Sequence, residues 1–134
     1  VLEKKDGEGL KELFHSFFAS ISYEWYRKNH LSSFEGYYAS IMYTIFASLG
    51  YHVIAEDTTN KGRIDLTVIT AQAAWIFEFK VKRDESHGEK SPLEQIKRKG
   101  YSEKYKAQGL KIWEIGIVFD PKTRNIIQWD QRSD

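Results

Sequence analysis

The sequence predicts a single α/β domain over residues 1–134, a mixed β-sheet flanked by helices in the order α-α-β-β-β-α-β-β. Three observations carry this. Apolar residues recur at helical spacing up to Gly50, and from Tyr51 onward the period drops to that of strands. A capping sequence at Ser91 then opens one further helix, and two more strand-like runs come after it.

Leu10, Leu13, Phe14, Phe17, Phe18, Ile21 and Trp25 mark one face of a helix running to about Arg27. Ser32 or Ser33 caps a second helix. Its positions Phe34, Tyr37, Tyr38, Ile41, Met42, Ile45, Phe46 and Leu49 form a wide core-facing stripe. Gly50 stands where a helix C-terminal glycine belongs. Tyr51 to Asp57 reads as a strand, and Asn60, Lys61 and Gly62 supply turn chemistry. Ile64, Leu66 and Val68 alternate with Asp65, Thr67 and Ile69. After a short turn near Ala71 and Gln72, Trp75, Phe77, Phe79 and Val81 alternate with Ile76, Glu78, Lys80 and Lys82. These two runs predict adjacent antiparallel strands. Residues 84–90 are polar and contain glycine, so they read as a loop. Ser91-Pro92-Leu93-Glu94 is a capping box with proline at the first helical position. The helix it opens carries Leu93, Ile96, Tyr101 and Tyr105, with Gly100 as a candidate break. Lys111 to Phe119 and Asn125 to Trp129 are the last strands, joined by a turn at Asp120-Pro121-Lys122.

Composition removes several function classes. With no cysteine, disulfides and thiolate metal sites are excluded. No apolar run approaches the roughly 20 residues that span a bilayer, and no signal segment opens the chain. The expectation is a soluble cytoplasmic protein. The chain begins at Val1 and Met42 is its only methionine, which predicts a domain excised from a longer protein. His15, His30, His52 and His87 are scattered without zinc spacing. A glycine-rich phosphate loop is missing, so this piece is not expected to bind ATP itself.

The net charge of +1 hides an uneven distribution. The stretch from Lys80 to Lys111 holds ten basic residues against five acidic ones. Such a segment is either a footprint for phosphates or the solvated face of a helix. Lys82, Arg83 and Lys97 are its candidate nucleic-acid contacts.

The chemistry lies in the two central strands. Strand side chains alternate, so Glu78 and Lys80 share a face opposite Phe77, Phe79 and Val81. If the turn after Thr70 has two residues, Thr70 pairs with Ala73 and Asp65 falls opposite Glu78. Opposed residues share a face and lie close together, so two carboxylates and a lysine would converge on one patch. Close carboxylates raise each other's pKa. A Mg²⁺ ion relieves that repulsion and suits one or two carboxylates plus water and substrate phosphate. The residue types therefore suit metal-assisted phosphodiester hydrolysis, although an acid at a strand start and an E-x-K pair on a solvated strand are also common in themselves.

Taken in order, Glu35, Gly62-Arg63-Ile64-Asp65, Glu78-Phe79-Lys80, Glu94-Gln95-Ile96 continuing to Tyr101, and Ile115-Gly116-Ile117-Val118-Phe119-Asp120 resemble the PD-(D/E)XK nuclease superfamily. The likeness covers almost the whole chain, with Ile64 standing where the superfamily's name has proline. In particular it resembles a bacterial branch in which this module comes after an AAA-ATPase-like domain at the C-terminal end of a longer chain.

The resemblance implies a restriction-endonuclease-like fold and a Mg²⁺- or Mn²⁺-dependent nuclease acting on DNA rather than RNA. Asp65 and Glu78 resemble the metal ligands, with the Phe79 carbonyl a third, and Lys80 the catalytic lysine. Glu35 resembles the first-motif acid that supports the metal or its waters, and is equally an ordinary acid of a helix's first turn. Gln95 resembles the polar residue of the fourth motif, or is an exposed helical glutamine. Tyr101 either meets nucleic acid or belongs to the core. The implied partners are nucleic acid, an AAA-ATPase-like domain in the parent chain and a second copy in a homodimer, with no membrane. The alternative is a catalytically silent module of the same fold that binds nucleic acid or regulates the ATPase-like domain.

Overall fold

A computed structural model describes residues 7–20, 35–59, 62–82 and 91–133. Its elements are α1 (Gly7–Ala19), α2 (Glu35–Ser48), β1 (His52–Thr59), β2 (Gly62–Ile69), β3 (Ala73–Val81), α3 (Pro92–Lys99), α4 (Glu103–Lys106), β4 (Lys111–Asp120) and β5 (Asn125–Ser133). The five strands form one mixed sheet in the order β1-β2-β3-β4-β5. Only β3 and β4 run parallel. They are the pair joined through helices, since parallel neighbours need a crossover whereas antiparallel ones need only a hairpin.

The β2–β3 turn has the two residues the spacing predicts. The Thr70 N–H donates to the Ala73 carbonyl at 2.9 Å, and the register runs from Ile69–Ala74 to Leu66–Phe77. A helix layer lies on each face of the sheet. On one face Leu10, Phe14 and Phe18 of α1 and Tyr38, Met42 and Phe46 of α2 pack on Leu66, Val68, Trp75, Phe77, Phe79, Ile115, Ile117 and Phe119. Tyr38 stacks on Phe119 with ring centroids 4.0 Å apart. On the other face Ile96, Tyr101 and Tyr105 cover Ile64, Ala74, Ile76 and Ile112.

Several expectations need correcting or fall outside the described residues. Leu13 and Phe17 are exposed, because α1 uses only the Leu10–Phe14–Phe18 row against the sheet. Leu49 is also exposed, lying beyond the last helical residue of α2. The extension of the first helix to Arg27, with Ile21 and Trp25, lies outside the described residues, as do Ser32, Ser33, Phe34, Asn60, Lys61 and the loop at 84–90. The helix after Ser91 is capped as expected, with the Glu94 N–H donating to Ser91 Oγ at 3.2 Å and Pro92 leading. It stops at Gly100, whose φ of 65° is the left-handed cap conformation. Tyr105 therefore rides on the separate short helix α4. No helix among the described residues is long and apolar enough to cross a membrane.

The alternation expected of β2 breaks at Asp65. Leu66 and Val68 join the α1–α2 core, yet Ile64 joins the α3–α4 core. Across the hairpin the break falls opposite Glu56, which has φ of 50°. The β1–β2 ladder steps from Ala55–Leu66 to Asp57–Ile64 and omits the pair Glu56–Asp65. The register is the same on either side of that omission, so one residue of each strand is skipped and no residue is inserted.

Candidate active site

Asp65 sits where pairing lapses on both sides. Toward β1 it faces the omitted Glu56, and toward β3 the ladder ends one residue earlier, at Leu66–Phe77, so the ladder pair expected between Asp65 and Glu78 does not form. Beyond that point carboxylates take the place of backbone carbonyls. Glu78 Oε1 accepts from the Asp65 N–H at 3.2 Å, and Asp65 Oδ2 accepts from the Phe79 N–H at 2.9 Å. The two acids are thus interlocked across the fork between β2 and β3. Glu78 is buried and Asp65 half-buried.

Gln95 completes the cluster from α3, its Nε2 donating to Glu78 Oε2 at 3.2 Å. A glycine permits this reach. Gly116 of β4 lies beside Glu78 in the register. A Cβ placed on it would come within 2.4 Å of the Leu93 backbone nitrogen and 3.0 Å of Leu93 Cα. The first turn of α3 therefore rests directly on the sheet backbone, with Gln95 above Glu78. A side chain at 116 would hold the helix off.

Burial raises the Asp65 pKa, and the nearby Glu56 charge pushes the same way. The Phe79 N–H, the Glu78 carboxyl group and the charge of Lys80 act against that rise. Lys80 is half-buried, two residues beyond Glu78 on β3. Two hard-oxygen carboxylates from adjacent strands, one desolvated enough to resist ionisation, suit a divalent cation that tolerates one or two carboxylates and retains water. Among the described residues no larger group of His, Asp and Glu side chains could hold a metal.

A groove of about 340 Å³ between α2 and β1–β2 has Asp65 in its lining, but not Glu78, Lys80 or Gln95. Glu56 lines it too. Sequence reasoning passed over Glu56, because its left-handed backbone cannot be read from the strand pattern around it.

The remaining expected site residues are dispersed. Glu35 opens α2, and its side chain lies outside the described residues, as does Arg83. Lys82 is exposed just past β3. Lys97 is exposed as well, but it lines a different groove, with Glu114 and Arg132 of β4 and β5. Tyr101 is buried against Gly62, so it belongs to the core and offers no face to nucleic acid. Gly62 has φ of 140°, and a Cβ there would meet the Tyr101 hydroxyl at 3.3 Å.

Residues 33–129 match the model of the PD-(D/E)XK nuclease superfamily. The chain is also 44% identical over 127 residues to an uncharacterized protein in the vnfD 5' region of Azotobacter chroococcum mcd 1. That alignment covers 95% of this chain and 24% of the relative's length.

Proposed function

The chain belongs to the PD-(D/E)XK nuclease superfamily, and we propose that it is a metal-dependent nuclease module hydrolysing phosphodiester bonds of DNA. The observation that carries this reading is the interlocked pair Asp65–Glu78 at the open fork of β2 and β3, with Lys80 next along the same strand face. Asp65 and Glu78 would hold Mg²⁺ or Mn²⁺, with the Phe79 carbonyl as a further oxygen donor. When bound, the cation would polarise the scissile phosphate and favour ionisation of the attacking water.

The protein's own groups do the rest. Gln95 holds Glu78 through Oε2, keeping that carboxylate turned toward the fork. Lys80 supplies a fixed positive charge where negative charge develops on the phosphate, a contribution greatest when the donor is held in place beforehand. Glu35, at the start of α2, would orient water at the same site. Lys82 and Arg83 would contact flanking phosphates, which positions a nucleic acid without reading its sequence.

This chain spans only 24% of the length of its relative. That supports a module working inside a larger protein, and we propose an AAA-ATPase-like domain as its neighbour there and a second copy as its partner in a homodimer.

Calorimetric titration with Mg²⁺ and Mn²⁺ tests the core of the proposal. The wild type should bind one of them, and the Asp65→Ala/Glu78→Ala double variant should not. Equal binding by both proteins would sink the assignment of these ligands. Absence of binding to the wild type, even with an oligonucleotide present, would favour the catalytically silent module.

A further inference from the structure

We propose that the groove between α2 and β1–β2 receives one unpaired nucleotide, with its base stacked on Tyr43 and its phosphate at Asp65. This rests on the nuclease reading and narrows its substrate to single-stranded, frayed or flipped-out DNA. The groove exists because α2 presents small residues there. Gly36, Ala39 and Ser40 line it with Tyr43, at the helical spacing of one face, while Tyr38, Met42 and Phe46 turn into the core. A Cβ on Gly36 would meet nothing within 4 Å. At about 340 Å³ the groove has room for one nucleotide.

Chemistry decides which part of the nucleotide enters. Glu56 and Asp65 both line the groove, and their charges would repel a phosphate lying within it. A neutral base meets no such penalty, and the phosphate stays at the end where Asp65 would share a cation. Tyr43 suits the base. It is 40% exposed in a helix whose other large aromatics are buried or half-buried. Every base has a face that stacks on an aromatic ring, so the contact tolerates any sequence.

The test is fluorescence anisotropy with Mg²⁺ and a labelled 12-nucleotide DNA, single-stranded or annealed to its complement, in a Lys80→Ala background that leaves the probe intact. Tyr43→Ala should weaken single-strand binding about tenfold, or 1.4 kcal/mol. Tyr43→Phe, which keeps the ring, should bind like the parent. Gly36→Leu, which fills the groove from a helical position, should weaken single-strand binding as well. Thermal midpoint and Mg²⁺ affinity of Tyr43→Ala should match the parent, as should its duplex binding. Single-strand binding unchanged by Tyr43→Ala, or lost equally in Tyr43→Phe, overturns the proposal. If the wild type still binds Mg²⁺ and cuts DNA in that case, the nuclease reading stands without it. A wild type that binds neither Mg²⁺ nor oligonucleotide overturns both.

Discussion

Asp57 offers the sharpest test of how the region beside the candidate site is held. It is 3% exposed and accepts three hydrogen bonds: from Thr67 Oγ1 at 2.9 Å, from Lys104 Nζ at 2.7 Å and from the Tyr105 hydroxyl. Burial, followed by the bond to Asp57, pushes the Tyr105 phenol above its ordinary pKa, so it stays a donor. Alanine at 57 would strand two buried hydroxyls, each at about 1–3 kcal/mol. Thr67 and Tyr105 can partly satisfy each other, which brings the expected loss to about 3–4 kcal/mol. Lys104 adds little, since its side chain is 37% exposed and water screens and replaces an exposed partner. For a domain of this size the loss corresponds to roughly 12–15 °C in thermal midpoint. Urea titration is the assay, with an unchanged slope showing that the unfolded state is the same. Lys104→Met should lose no more than about 1 kcal/mol. If Asp57→Ala fell within that margin of wild type, or Lys104→Met matched it, the buried hydroxyls would not be what Asp57 secures.

Lys80→Ala should keep the thermal midpoint within a few degrees and reduce cleavage by at least about 100-fold, as loss of one preorganised charge does; cleavage at the wild-type rate removes Lys80 from the mechanism. Asp65→Asn keeps an acceptor for the Phe79 N–H while abolishing the buried charge. The folded pKa of Asp65 is raised, so the stability tied to its protonation is full below the ordinary carboxylate pKa and is lost as pH rises through the raised value. The variant should therefore outlast wild type to urea at pH 7 without metal and lose that advantage in acid, and equal midpoints at both pH values would refute burial as the cause. Gly116→Ala should destabilise by about 1–3 kcal/mol through overpacking against Leu93. It should also weaken Mg²⁺ binding by lifting Gln95 from Glu78, and unchanged calorimetric affinity would show that Gln95 does not position Glu78.

What the sequence by itself determined is what depends on short-range spacing. The two-residue β2–β3 turn and the register from Ile69–Ala74 to Leu66–Phe77 follow from spacing that is local. Ser91, Pro92 and Gly100 mark the ends of α3 for the same reason, because caps act within one helical turn. Spacing alone put Asp65 and Glu78 on neighbouring strands, and their carboxylates accept backbone N–H groups across that pair of strands. Tertiary structure decided which apolar residues are covered, since periodicity gives a face but not how much of it a neighbour reaches. Leu13 and Phe17 lie on the expected face of α1, yet the sheet meets only the row beside them. Tyr101 had an aromatic's two readings, and the close approach of Gly62 settled it as core. Gly116 is one glycine among nine in the sequence, and only the packing of α3 on β4 makes its missing Cβ matter to Gln95. Ile64 and Leu66 join opposite cores, and across the hairpin Glu56 has left-handed backbone. A non-glycine residue in that conformation persists because the surrounding structure holds it there, so its presence could be learned only from the assembled fold.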